Sequence, residues 1–178
     1  MNDDELIQRA RSGEEEAFQE LIERHYRTVQ KFAFQIGVHP PYVEDVTQEV
    51  FLKVYRSIST FSGGTFTTWL YSITLNAARD LIRKEKRQKR NLQAMKEKDN
   101  GKLFDELETG EETWELHDMI RSLPEKYRIP LILHYFHEQT YREISKVTGV
   151  TETAVKTRVM RARNQLKKRY EKAGVIHE

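Results

Sequence analysis

Between about Asn91 and Thr113 the chain loses its apolar anchors and becomes polar and acidic, with Gly101 and Gly110 inside the stretch. No hydrophobic core runs through such a composition, so the chain has to fold as two pieces with a flexible linker between them. On both sides of the stretch apolar residues recur at helical spacing, and the alternation that marks strands is nearly absent. The expected fold is therefore all-α: two small helical domains, 1–90 and 114–178, joined by a flexible acidic linker at 91–113. The second domain ends in a helix-turn-helix.

That motif is written in Thr140 to Tyr170. Thr140-Tyr141-Arg142-Glu143 has the shape of a capping box, in which hydroxyl and carboxylate satisfy each other's orphan N–H groups. Gly149 supplies the backbone freedom of a tight turn, and Thr151 is placed to cap the next helix. In that helix Val155, Val159, Ala162, Leu166 and Tyr170 fall on one apolar stripe. From Lys156 to Arg169 there are seven cations (Lys156, Arg158, Arg161, Arg163, Lys167, Lys168 and Arg169) and no acid. A helix anchored on one side and basic elsewhere fits the major groove of DNA and neutralises phosphates there. Thr153, Thr157, Met160, Arg161 and Asn164 lie opposite the apolar stripe, with Lys156, Arg158 and Arg163 flanking. The N-terminal part of such a helix does most of the base reading, which favours Lys156, Thr157, Met160 and Arg161. Lys167, Lys168 and Arg169 fall to phosphate or solvent.

In the first piece Ser12-Gly13-Glu14-Glu15 reads as a capping box opening a helix that turns Phe18, Leu21, Ile22, Val29, Phe32 and Ile36 inward and stops at Gly37. Pro40-Pro41 opens a helix to about Ile58, with Val46, Val50, Phe51, Val54 and Ile58 on its core face. Asp45, Gln48 and Glu49 cluster on the opposite side around Leu52, a small recognition patch. A loop at 59–65 precedes a long helix from Phe66 to about Arg90. Phe66, Trp69, Leu70, Ile73, Ala77 and Leu81 share its core face. Ser72, Asn76, Arg79, Arg83, Lys86 and Arg90 form a stripe elsewhere, suited to base edges and phosphates. Asp80 lies near the core border and reads as an ion-pair partner. Phe61 and Phe66, at the edges of the Gly63-Gly64 loop, are candidates to stack on an unpaired base.

In the second piece Leu116, Met119, Ile120 and Leu123 restore helical spacing. Ser122-Leu123-Pro124-Glu125 then opens a helix carrying Ile129, Leu131, Ile132, Leu133 and Phe136, with Pro130 inside it.

Charge is segregated. Residues 1–50 hold eleven acids against five bases, and residues 79–90 seven bases against two acids, although the net charge is only +2. There is no cysteine, hence no disulfide or thiolate chemistry. The acidic start is not a signal peptide, and no apolar run approaches the roughly 20 residues that span a bilayer. The protein is expected to be soluble, cytoplasmic and free of direct membrane binding. The loop lacks the GxxxxGK[ST] spacing of a nucleotide cradle. His134 and His137, at i and i+3, lack a third metal ligand. No nucleophile or carboxylate cluster sits on a scaffold, so neither an enzyme nor a cofactor is expected.

The blocks Glu44-Asp45-Val46-Thr47-Gln48-Glu49-Val50-Phe51 and Phe66-Thr67-Thr68-Trp69-Leu70-Tyr71-Ser72-Ile73, with Asn76 and Arg79-Asp80, resemble domain 2 of an extracytoplasmic-function (ECF, group IV) sigma factor. Leu123-Pro124-Glu125-Lys126-Tyr127-Arg128, Tyr141-Arg142-Glu143-Ile144 and Ala154 to Arg163 resemble domain 4. The resemblance implies a dissociable subunit of bacterial RNA polymerase with no catalytic activity of its own. It implies that Asp45, Gln48, Glu49 and Leu52 dock on the clamp helices of the polymerase core. It assigns Asn76, Arg79 and Arg83 to the −10 element, with Phe61, Ser62, Gly63, Gly64 and Thr65 lining a pocket for a flipped base. Domain 4 would read the −35 element through Thr153, Lys156, Thr157, Arg158, Met160, Arg161, Arg163 and Asn164, and would pack on the polymerase flap. A cognate anti-sigma factor, often membrane-bound in the family, is the further partner implied. Thr153-Ala154 stands where the family usually has Gly-Thr. The competing reading is a helix-turn-helix regulator that acts as a dimer without joining polymerase; it needs a dimerisation surface or ligand pocket within 1–90.

Overall fold

A computed structural model describes residues 1–91 and 111–174. The linker expected at 91–113 lies mostly outside the described residues; its edges, Asn91 and 111–113, are helical. Among the described residues every regular element is a helix, and contacts cluster into two compact units, Met1–Leu107 and Glu108–Glu178.

The first unit opens on a helix that sequence reasoning missed, α1 (Asp3–Arg11). Asn2 caps it with both bonds of a capping box to Glu5, and Leu6, Ile7 and Ala10 are buried. The box expected at Ser12 is not formed: Ser12 closes α1 by donating to the Arg9 carbonyl, and Glu14 starts α2 (Glu15–Ile36) without a side-chain cap. Gly37, at φ 117°, ends α2 in the left-handed region, where a glycine carries no Cβ penalty. The next helix, α3 (Pro40–Ser57), begins on Pro40 and runs into a 3-10 turn, Ile58–Thr60. Beyond the loop, α4 spans Phe66–Asn91.

The core of this unit lies where α2, α3 and α4 pack together, with Phe32, Leu21, Val50, Leu70 and Leu75 almost fully enclosed. The buried face of α4 differs from the expected one. It is centred on Leu70, Tyr71, Thr74, Leu75 and Ala78, while Trp69, Ile73 and Leu81 are only half-buried. Thr74 is tolerated inside because its hydroxyl donates to the Leu70 carbonyl at 2.8 Å. Asp80 is therefore not at a core border; its side chain is 68% exposed, 3.9 Å from the Arg83 guanidinium.

In the second unit α5 (Glu111–Arg121) turns His117 and Ile120 inward. Ser122 donates back to the Met119 carbonyl rather than capping the next helix, α6 (Glu125–Tyr135), which starts on Pro124. Ile129, Pro130, Leu131, Ile132 and Leu133 are consecutive and all buried, so α6 is enclosed around its whole girth. Arg128 closes the corner by donating to the carbonyls of Arg121 at 2.9 Å and Leu123 at 3.3 Å. Burial lowers its pKa, and its Nε has no partner among the described residues. Helices α7 (Tyr141–Thr148) and α8 (Glu152–Lys172) form the helix-turn-helix. The Thr140–Glu143 capping box is present in both directions, Gly149 sits at φ 76°, and Thr151 caps α8 through the Ala154 N–H.

Candidate nucleic-acid interface

The geometry of α8 follows from its root. Val155, Val159 and Ala162 are buried against the unit's core, with Leu166 and Tyr170 half-buried along the same line. This fixes the rotation of the helix and turns Thr153, Lys156, Met160, Arg161, Arg163 and Asn164 to the exposed side. Met160 is 53% exposed, an apolar side chain offered outward in the middle of a basic helix. Lys156 and Arg161 have no acidic partner among the described residues, so their charge is available to an anion.

Other members of the expected set are partly engaged. The Thr157 hydroxyl donates to the Thr153 carbonyl at 3.0 Å and keeps its capacity to accept. Arg163 stacks over the Tyr135 ring at 5.8 Å, and Arg158 is half-buried. Arg169 departs from expectation. Its guanidinium donates to the Ser122 hydroxyl and to the Met119 carbonyl at 3.4 Å, tying α8 to the end of α5. His134 is likewise structural: Nδ1 lies 3.0 Å from the Gln139 carbonyl and the ring stacks on Tyr141 at 4.8 Å. Among the described residues no group of three or more His, Cys, Asp or Glu could hold a metal ion.

The second basic face belongs to α4. Asn76, Arg83 and Lys86 are exposed and Ser72 and Arg79 half-buried, a single face running toward the helix's C-terminal half. The Arg90 side chain lies outside the described residues. The Ser72 hydroxyl is already bonded to the Thr68 carbonyl at 3.1 Å, which leaves the Asn76 amide as the main neutral donor and acceptor on that face.

At its N-terminus α4 meets the loop. Ser62, Gly63, Gly64 and Thr65 are exposed; Gly63 and Gly64, at φ 74° and 76°, have open space where a Cβ would stand. Thr65 does more than line the loop. Its Oγ1 accepts the Thr68 N–H at 3.3 Å and lies 2.6 Å from the Thr68 hydroxyl, as an N-cap does. Phe66 is 5% exposed and belongs to the core, so it is not a stacking surface. Half-buried Phe61 leans on half-buried Trp69, with ring centroids 4.8 Å apart and planes tilted 33°.

A different kind of surface covers α2 and α3. Asp45, Gln48, Glu49 and Leu52 are all exposed, Leu52 to 50%. Leu52 is not merely ringed by acids. With Phe18, Ile22, Tyr26, Phe51 and Tyr55 it lines an open apolar groove edged by Glu15 and Gln48. Phe18 and Ile22, expected inward, are half-buried because they form that groove's floor and wall, and Tyr55 is 58% exposed. The signal for it was the i, i+4 run Phe18, Ile22, Tyr26 on α2 opposite Leu52 and Tyr55, one turn apart on α3. Glu44 braces the rim: it accepts the Tyr26 hydroxyl and the amides of Gln30 at 3.2 Å and Gln48 at 3.3 Å. Burial, then the Glu44 carboxylate, push the Tyr26 pKa up to about 12.

Comparison with known proteins matches both units. Residues 21–88 match the Sigma-70 region 2 family model and residues 113–166 the Sigma-70 region 4 model. The ECF RNA polymerase sigma-E factor of Haemophilus influenzae is 30% identical over 183 residues, covering 93% of this chain and 94% of that protein. The ECF RNA polymerase sigma factor SigE of Mycolicibacterium smegmatis is 30% identical over 158 residues; the match covers 85% of this chain but 60% of that longer protein. Among solved structures, CnrH in complex with the cytosolic domain of CnrY superposes with a TM-score of 0.74 at 25% identity, covering 95% of this chain and 97% of that one.

Proposed function

The chain belongs to the extracytoplasmic-function sigma factors, alternative sigma factors that direct RNA polymerase to promoters, and from that premise we propose how its parts divide the work. Residues 1–90 bind the polymerase core and the −10 element, residues 114–178 read the −35 element, and residues 91–113 span between them.

On the first unit, Asp45, Gln48, Glu49 and Leu52 dock on the clamp helices of the core. Asn76, Arg79 and Arg83 meet the −10 strand, the amide against a base edge and the arginines against phosphates. The Phe61–Thr65 loop takes one flipped base, whose unstacking costs a few kcal/mol and is offset by stacking and edge hydrogen bonds. On the second unit α8 enters the major groove. Lys156, Thr157, Met160 and Arg161 read bases, and Thr153, Arg158, Arg163 and Asn164 hold the adjoining backbone. This unit also packs on the flap. No bond is made or broken by these residues, so the chain is an initiation factor and not an enzyme, acting in the cytoplasm where polymerase is. No helix among the described residues is long and apolar enough to cross a membrane. A cognate anti-sigma factor holds the protein inactive until a signal arrives, as family membership implies; the solved relative bound to a cytosolic domain supports a membrane-attached one.

The observation that carries this reading is the pairing, on one chain, of two cationic helices each rooted by a buried face in its own compact unit. One presents Asn76 and Arg83, the other Lys156, Met160 and Arg161. Run-off transcription with purified core polymerase on a pool of genomic fragments tests it. Discrete transcripts appearing only when both core and this chain are present are expected. Equal footprints with and without core, and no transcripts, would instead favour a dimeric regulator.

A further inference from the structure

Helix α1 lies outside both matched family regions, which begin at residue 21 and residue 113. Its position is nonetheless specific, because it reaches the structure on both sides of the Phe61–Thr65 loop. Before the loop, Arg11 donates to the Ser59 carbonyl at 3.5 Å, inside the 3-10 turn that delivers Phe61. After the loop the connection runs through a histidine. Asp3, in the first turn of α1, accepts Arg24 at 3.2 Å on one oxygen and lies 2.7 Å from His25 Nε2 with the other. The His25 ring stands edge-on to Phe66, 5.2 Å between centroids, at the first residue of α4. Phe66 in turn meets Phe61 at 6.1 Å and Trp69 at 5.8 Å.

The loop itself has little to define its shape. Gly63 and Gly64 face open space, and two adjacent glycines with positive φ leave the backbone many alternatives. A base pocket built there needs its walls held from outside, since positioning within fractions of an ångström decides recognition. Leu6, Ile7 and Ala10 anchor α1 in the core, so the grip is made from a fixed platform rather than a frayed terminus.

We propose that α1 positions the base-reading loop by holding both of its ends, through Arg11 on Ser59 and through Asp3 and His25 on Phe66. Asp3, Arg11 and His25 are positioning residues that touch no nucleotide. The inference rests on the reading of Phe61–Thr65 as a single-strand pocket.

The test uses full-length protein in holoenzyme and a randomised single-stranded DNA pool of about 12 nucleotides, within the footprint of single-strand-binding surfaces. Bound sequences are counted, and affinity for core and melting temperature are measured alongside. Wild type is expected to enrich a motif, and Phe61→Ala to flatten it. Asp3→Ala and Arg11→Ala are each expected to reduce enrichment at the flipped position about fivefold with core affinity unchanged. Asp3→Glu, which restores the carboxylate, is expected to recover it. A lower melting temperature with the motif intact would show α1 to be a stabiliser only and overturn the proposal. If Phe61→Ala flattens the motif while the α1 variants do not, the loop reading stands and the brace falls. If Phe61→Ala also changes nothing, both fall.

Discussion

Individual side chains of α8 divide by what they already touch. Arg169 is spent on Ser122 and the Met119 carbonyl, and Arg163 covers the Tyr135 ring, whereas Arg161 stands exposed with no acidic partner among the described residues. Arg161→Ala should therefore cost about 1–3 kcal/mol at a specific promoter upstream element and relax specificity there. Holoenzyme binding to that element measures it, and an unchanged affinity removes Arg161 from the reading set. A second test at this scale is a titration. The Tyr26 phenol, half-buried and donating to Glu44, has its pKa raised to about 12. The folded state thus favours the neutral phenol. The stabilisation is fully present below the ordinary tyrosine pKa of about 10 and is lost as pH rises from there through about 12. Phenolate absorbance should show a late-titrating component that is lost in Tyr26→Phe and shifted down in Glu44→Gln. A high-pH titration curve that neither substitution changes would mean that the Glu44 bond does not hold in solution.

At the scale of elements, the helix-turn-helix is a pair of caps around one glycine. Gly149 sits at φ 76° with nothing within 4 Å of where a Cβ would stand, so substitution there costs backbone strain and no collision. Gly149→Ala should lower the unfolding free energy by about 1–2 kcal/mol, and Gly149→Asn by less, because asparagine tolerates the left-handed region. Equal losses in denaturant titrations would point to a cause other than backbone conformation. The helix-turn-helix was legible in the sequence because Thr140, Glu143, Gly149 and Thr151 act locally, each on a neighbour within a few residues. The face of α4 was harder. Thr74 and Ala78 are small and carry little hydrophobic signal, yet they are fully buried because α2 and α3 approach closely there, a fact of tertiary packing. The reverse held for Phe18 and Ile22, whose helical spacing promised burial that neighbouring elements do not complete. Helix α1 was written in the open: Asn2 to Glu5 carry the same capping-box pattern as Thr140 to Glu143, but its apolar face is a short Leu6, Ile7 and Ala10. Among the expected site residues, Asp45, Gln48, Glu49, Asn76 and Arg83 are exposed as their spacing implied. The capping bond of Thr65 was not legible, because it depends on where α4 begins.

For the molecule as a whole, protein binding and DNA reading are proposed for different faces, so they should separate under mutation. Replacing Asp45 and Glu49 together by alanine removes two exposed carboxylates and no buried contact. The melting temperature should stay within the small range typical of surface changes, about 0.5 kcal/mol in stability, while competition for core enzyme weakens. Unchanged competition would take both residues out of the interface. On the reading proposed above, one chain carries two reading heads whose spacing is set by polymerase. That claim is tested most directly by initiation assays on a promoter recovered from the run-off experiment, with the distance between its upstream and downstream elements varied. Inserting about 5 base pairs turns one element roughly half a helical turn from the other. Transcription is predicted to collapse at that spacing while each element alone still binds holoenzyme weakly. Transcription indifferent to the spacing would contradict the claim.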